Sequence, residues 1–395
     1  MATVSLSNIT KNIKEYYLPA FGNQLATEPD PFLEMIKKVP CNSSKEIGGV
    51  KVGLNGGFAF GGENDNIPTA SGRAYERFVI QAKNIYVMLE ITDKAIKLGD
   101  NTGVIYKTID DEIQGAYESA KFNKARALFG NGTGKLGTFA SAISASTTVT
   151  LDTVQNLQVG MVIEFYTGSV GSATLVENSA RKITGVDRTN KQITLDSAIT
   201  TSGGGFVVNQ KSFGNEYTGL GAIFDSSVTS IWGVSKASNP WIKPVSVSAS
   251  HNLTNTVISR AVRQARDDKG SNIDLIMMAD DTFDGYQTYM DENTVTVVPN
   301  TRKFKSGAAG YEVVVGGTTI TVVSSRFVPS GKAWGVDTTA WEMHETGFGF
   351  AAEENAPAFQ RKEGSAAYQA LLTQYGELSC RNPGGSIEIT DCLTA

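Results

Sequence analysis

Ile105, Ile109, Ile113, Ala116, Ala120 and Ala127 recur at helical spacing and define one long amphipathic helix over residues 102–129. Lys107, Asp111, Glu118, Lys121 and Lys124 fall largely on its other faces. Asp100, Asn101 and Thr102 are cap-type residues before it, and Gly130 supplies the stop. At about 1.5 Å per residue, the helix is a rod of about 42 Å.

In front of the rod, residues 46–92 read as a long hairpin. Eight glycines lie between Gly48 and Gly72, so the tip at 55–72 cannot build a core of its own. The return strand, 75–92, is mostly apolar, with Phe78, Ile80, Ile85, Tyr86, Val87, Leu89 and Ile91. At about 3.3 Å per residue, an arm of about fifteen residues spans about 50 Å, well beyond its own domain. A loose surface loop fits the tip's composition equally well. Residues 1–40 read as an extended arm with short helices. Asp30-Pro31 is a cap followed by proline, Phe32, Leu33, Met35 and Ile36 give a short apolar face, and Pro40 ends it. A rigid rod joined to arms without cores points to a subunit that interlocks with copies of itself, not to an enzyme pocket.

Composition narrows the classes. The 395 residues suffice for two or three domains. Charged residues are 19% and hydrophobic ones 41%, which excludes a disordered, highly charged chain. The net charge of −5 argues against a protein built to grip nucleic acid; Arg302, Lys303 and Lys305 form the nearest approach to a basic run. Cys41, Cys380 and Cys392 form no CxxC and are odd in number, which fits a reducing compartment without a disulfide framework. Met1 to Leu18 has no apolar signal core, and no stretch approaches the ~20 apolar residues of a membrane helix. These features point to a soluble chain made in a cytoplasm.

Further along, residues 138–215 are rich in serine, threonine, glycine and valine. Strand signals recur at 147–151, 161–166, 182–186, 192–195 and 206–208, with a turn at Asp187-Arg188-Thr189-Asn190. This reads as a small β-domain, barrel or sandwich. Beyond it the chain is α/β. Leu253, Val257, Ala261, Val262 and Ala265 line a helix with Arg260, Arg263 and Arg266 largely away from it. A buried strand is expected at 273–278, a helix at 282–290, a hairpin at 311–323 turning at Gly316-Gly317, and strands at 334–336, 368–380 and 386–389.

Catalytic chemistry is sparse. His251 and His344 are the only histidines, and neither has metal-ligand spacing to another histidine or cysteine. Asp280, Asp281 and Asp284 lack the later ligand positions of a calcium loop, and Asp281 reads as a helix cap. Glu353-Glu354 reads as a solvated loop. The run Gly130 to Leu136 mimics a phosphate loop, but Leu136 replaces its Ser/Thr and the run ends a helix instead of starting one. No catalytic residue, cofactor or metal is expected.

The order of elements carries a resemblance that no single motif does. Flexible arm, long hairpin, long helix, Ala125-Arg126-Ala127-Leu128-Phe129-Gly130 into Thr133-Gly134, then Tyr217-Thr218-Gly219-Leu220, Asn239-Pro240-Trp241, the α/β block and Tyr375-Gly376-Glu377-Leu378 with Pro383 follow one another. This closely resembles the major capsid proteins of tailed bacteriophages, with their Hong Kong 97-type fold. The resemblance covers nearly all of the chain except 138–215, which looks like the inserted domain some members carry.

The resemblance implies an α+β fold: an N-terminal arm (1–45), an extended hairpin loop (46–92), a peripheral domain with a spine helix (93–137), an inserted small β-barrel or sandwich (138–215), an axial domain (216–345) and peripheral C-terminal strands (346–395). It implies a non-enzymatic coat protein that self-assembles into hexamers and pentamers of an icosahedral shell. The shell forms in the bacterial cytoplasm and becomes the virion capsid, enclosing double-stranded DNA without reading its sequence. A separate scaffolding protein, a portal and neighbouring capsomers are the expected partners, with no membrane. Expected inter-subunit contacts are Phe58, Phe60, Glu63, Asp65, Arg73 and Arg77 on the hairpin, Phe32 and Met35 in the arm, and Arg302 and Lys303. The tip has no lysine, so no covalent crosslink to a neighbour is expected. The alternatives are another phage structural part, such as a tail-tube or decoration protein, and a carbohydrate-binding surface protein.

Overall fold

The computed structural model describes residues 31–53, 56–63, 66, 69, 72–94, 104–292, 301–303, 309–315, 317–350 and 359–393. Most of the 1–45 arm lies outside them.

The longest strand, Ala367–Cys380, organises one sheet. Along one edge it pairs antiparallel with Lys83–Thr92, from Gly376 opposite Lys83 to Ala367 opposite Thr92. Along the other edge lie Trp341–Glu345, Gly349–Phe350 and Gln360–Arg361. Within the expected 102–129, the described helix runs from Val104 to Phe129. Its Ile113, Tyr117 and Ala120 pack with Leu89, Ala370 and Leu372 of this sheet and with Phe348 in the connection between two of its strands. Ile113 and Ala120 belong to the expected face, while Tyr117 was not foreseen. Ile105 and Ile109 are outside the described side chains. Lys124, expected on an outer face, is 3% exposed: its end of the helix enters the body from every side, and Lys124 Nζ meets Glu345 Oε2 at 2.5 Å.

The N-terminal segment corrects the sequence reading. Its helix, Pro31–Met35, stops before Pro40, and Lys37–Pro40 becomes a strand parallel to Trp341–Glu345. Phe32 was expected to touch a neighbouring subunit. It is instead fully enclosed in the chain's own core, edge-on to Phe129 and Trp341 with ring centroids 6.1 and 5.6 Å away. A face of Phe32, Leu33 and Ile36 too short to stand alone found its partner within the same chain.

A second sheet has seven strands in the order Val245–Ser248, Ile387–Thr390, Ala333–Val336, Leu275–Met278, Thr318–Ser324, Ala309–Val315 and Thr301–Lys303. Leu275–Met278 is buried throughout, as a strand paired on both edges in a covered sheet should be. Helices Asn255–Lys269 and Asp280–Glu292 share its core. The first is capped by Thr254 Oγ1, which accepts from Val257 N, and ends at Gly270 in the left-handed region, φ 62°. The expected limit at 345/346 does not separate the sheets. Trp341–Glu345 belongs to the long-strand sheet, and Ile387–Thr390 belongs to this one. Strand pairing with distant segments moved both.

The middle segment forms a third, seven-stranded sheet spanning Lys135–Phe139 to Gly205–Asn209. Each strand expected there forms, with ends shifted by a few residues. Asp187 Oδ1 accepts from Thr189 N and Asn190 N at 3.0 Å each, fixing the expected turn. Ile163, Phe165, Ile183, Ile193 and Val207 are wholly buried in its own cluster. Just past strand Ser146–Thr150, Asp152 N donates to Thr138 O at 2.9 Å, which draws the two outer strands together and curls the sheet around that core.

Candidate assembly surfaces

Lys45–Lys51 and Tyr75–Gln81 pair antiparallel in full register, so the expected hairpin is a two-stranded ribbon. Its return strand is not continuous to Thr92. It breaks at Ala82, and Lys83–Thr92 leaves the ribbon for the long-strand sheet. The break divides one apolar run between two sheets.

Gly48 and Phe78 face each other across the ribbon. A Cβ on Gly48 would lie 2.1 Å from the Phe78 ring, so only glycine lets the ring cross its own ribbon. Phe78 thereby reaches the body core beside Trp232, with centroids 6.0 Å apart. Trp232 and Gly233, at φ 48° and 82°, form a two-residue turn between strands Ser230–Ile231 and Val234–Ser235. The carbonyl of Trp232 accepts from Val79 N at 3.0 Å. On the other strand, Glu46 Oε2 lies 2.5 Å from His344 Nδ1, in contact but not aligned as a hydrogen bond. His344 Nε2 is 3.0 Å from Ser379 Oγ. The ribbon base is thus held to the body from both strands.

Burial is confined to one face: Ile47 is exposed within the base, Tyr75 at the outer end of its strand, and at the tip Phe58 and Phe60 are 74% and 93% exposed. The two phenyl rings meet edge-to-face at 5.0 Å. An aromatic pair gains little from a mutual contact that leaves its outer surface in water. A second exposed apolar area lies on the long-strand sheet, where Tyr86 and Met88 are outward on strand Lys83–Thr92.

Buried charges tie the elements behind these surfaces. Arg126, near the end of the long helix, makes a two-pronged pair with Glu216 at 2.5 and 3.0 Å. Glu377 accepts from Thr218 N at 2.8 Å and Leu378 N at 3.0 Å. Burial nevertheless pushes its carboxyl up to about 7, against those hydrogen bonds and the nearby Lys83 charge. Burial likewise raises the thiol of Cys392 to about 12 and that of Cys380 further.

The run from Gly130 to Leu136 is the helix-ending turn its sequence predicts. Asn131 Oδ1 accepts from Thr133 N at 3.1 Å, and Gly132 and Gly134 take φ 84° and 79°. Among the described residues no group of three or more His, Cys, Asp or Glu is placed to hold a metal. No helix among them is long and apolar enough to cross a membrane.

Across 92% of this chain and 93% of the other, the structure matches the cyanophage A-1(L) capsid asymmetric unit with a TM-score of 0.55 at 13% identity. The chain has the phage-capsid fold. The capsid of Myoviridae phage XM1 matches at TM-score 0.43 and 10% identity over 91% of this chain and 90% of that one. An encapsulin complex from Synechococcus elongatus matches at 0.45 and 9% over 92% and 88%. No protein-family model matches the sequence, and no curated protein does.

Within this capsid fold, the expected contact residues divide. Phe58, Phe60, Glu63, Arg73 and Arg77 are all exposed on the ribbon or its tip. Asp65 lies outside the described residues. Phe32 is core, and Met35 is half-buried against the same core. Arg302 and Lys303 sit on edge strand Thr301–Lys303, with side chains outside the described set. Sequence reasoning missed the Glu46–His344 and Arg126–Glu216 contacts, because nothing local marks a charge for a partner 298 or 90 positions away. It also missed Tyr86 and Met88, since their apolar character alone reads as core. Of the middle sheet's aromatics, Phe139, Phe165 and Phe206 are buried, while Tyr166 and Phe213 are half-buried and pack against each other and Phe206 with ring centroids 4.7 to 5.5 Å apart.

Proposed function

We propose that this chain is a major capsid protein whose copies gather into hexamers and pentamers and close an icosahedral shell around double-stranded DNA. The observation that carries this reading is the capsid fold over nearly the whole chain, joined to a ribbon anchored at its base and apolar at its tip. Such a tip is stabilised only when a neighbour covers it. Many modest contacts closing together make a durable shell by effective concentration. The long helix and long-strand sheet serve as the peripheral domain, the α/β unit as the axial domain around five- and six-fold axes, and the 135–209 sheet as an insertion that decorates or braces the shell.

A separate scaffolding protein and a portal guide assembly in the bacterial cytoplasm. The packaged DNA is contained without sequence-specific binding, since a subunit of net charge −5 avoids gluing itself to a polyanion. The subunits act without catalysis, and no lysine at the tip is available to weld neighbours. Electron microscopy of the purified full chain, with and without a co-expressed scaffold, tests the reading. Rings of five and six or closed shells are expected; monomers alone under both conditions overturn it. Boiled shells should run as single chains on a denaturing gel.

A further inference from the structure

The two helices of the α/β unit differ in charge: Asn255–Lys269 sets Arg260, Arg263, Arg266 and Lys269 against Asp267 and Asp268, with Arg266 paired to Asp267 at 3.2 Å, whereas the charges of Asp280–Glu292 are all acidic. They meet where Tyr286 Oη donates to Asn255 Oδ1 at 2.6 Å. Helix Asn255–Lys269 buries Ile258, Ala261, Val262 and Ala265, leaving Arg260 and Arg263 exposed one turn apart. Among the described residues, their guanidinium groups reach only the backbone carbonyls of Ser248 and Ser259, at 3.1 and 3.2 Å. Helix Asp280–Glu292 contains five acidic residues and no basic one. Asp280 and Asp281 are engaged by Ser324 and Ser330. Asp284, Asp291 and Glu292 stand exposed on the outer side. Among the described residues, neither arginine meets a carboxylate and none of these three carboxylates meets a cation.

Each stripe is half of an ion-pair set, and one chain carries both halves. We propose that the acidic helix of one subunit docks against Arg260 and Arg263 of the next, around a ring axis. The contact is heterologous: it leaves one stripe open at each end, so it repeats until a ring closes. Opposite charges across such a joint select orientation and register, while like charges suppress the reversed approach. A second copy fits the arginines better than nucleic acid does, because the acidic helix beside them would repel a polyanion. Single exposed ion pairs are weak, but closure of the ring holds all of them at once. The inference rests on the assembly reading above and adds the surface through which neighbours meet.

Three full-length variants test it: Arg260→Glu with Arg263→Glu, Asp284→Lys with Asp291→Lys, and a chain carrying all four reversals. Ring and shell formation is read by analytical ultracentrifugation and electron microscopy, with circular dichroism and thermal melting to confirm folding. Each pair variant should lower the assembled fraction by about tenfold or more, and the fourfold reversal should restore it. An equimolar mixture of the two pair variants should form six-membered rings, in which the variants alternate, but not five-membered ones. Wild-type rings should loosen as salt rises. Should a reversal misfold, the neutral pair Arg260→Gln with Arg263→Gln replaces it, and the same loss of assembly is expected. Pair variants that assemble like wild type, or a folded fourfold variant that stays dissociated, overturn the inference while wild-type rings leave the assembly reading standing. A wild-type chain that forms no rings defeats both.

Discussion

The ribbon at 45–81 and the curled sheet at 135–209 are both strand-rich and glycine-containing, yet they bury apolar surface in opposite ways. The curled sheet encloses Ile163, Phe165, Ile183, Ile193 and Val207 within its own strands. The ribbon hides Phe78 and Ile80 only by borrowing the body core at its base, and leaves Phe58 and Phe60 in water. Two strands have a face but no second layer, whereas seven curled strands supply their own. Apolar content is therefore a poor guide to self-sufficiency; the number of strands available to close over it decides.

The largest expected effect lies in the self-contained region. Phe165→Ala should cost the unassembled subunit about 3–5 kcal/mol, read as a lowered chemical-denaturation midpoint for that sheet. A loss below about 1 kcal/mol would erase the contrast with the ribbon.

Next is the buried carboxyl that joins the irregular segment leading out of the curled sheet to the long strand. Because burial raises Glu377 to about 7 in the folded state from a reference of 4.5, folding favours its protonated form. Its stabilising contribution is complete below about pH 4.5 and is lost as pH rises through about 7. Glu377→Gln keeps an oxygen to accept from Thr218 N and Leu378 N but removes the charge. The variant should be more stable than wild type at pH 8 by about 2–3 kcal/mol, with the gap closing toward pH 5. Denaturation curves at both pH values measure this, and a gap independent of pH would contradict it.

At the ribbon base, Gly48→Ala places a methyl against the Phe78 ring and should cost about 1–3 kcal/mol. Hydrogen exchange should show loosening confined to 45–51 and 75–81, sparing the curled sheet. At the tip, Phe58→Ala with Phe60→Ala should change subunit stability by no more than about 0.5 kcal/mol. It should still reduce shell yield, measured by sedimentation. Equal losses in stability and yield would mean that the tip belongs to its own subunit's core.

Much of this architecture was legible beforehand where signals are local. Helical periodicity placed the long helix and its end at Phe129, and alternation with turn residues placed the strands of the curled sheet. Glycine density marked the ribbon's tip as unable to close on itself. Less legible were Phe32 and Lys124. A short apolar face reads the same whether its partner is another subunit or a distant part of the same chain, and a lysine at a polar helical position gives no hint of Glu345. Of the expected contact set, the exposed ribbon residues followed from local composition, while the arm residues depended on where the chain returned.

Local sequence by itself determined the rod, the strand-rich middle and the glycine-rich ribbon, because spacing, caps and glycine act over a few residues. Tertiary structure alone decided that the arm's phenylalanine completes an internal core, that strand 387–390 joins the α/β sheet, and that Glu46 meets His344. Strand pairing and charge burial join residues tens to hundreds of positions apart, and their energies depend on a three-dimensional neighbourhood that no stretch of sequence carries alone.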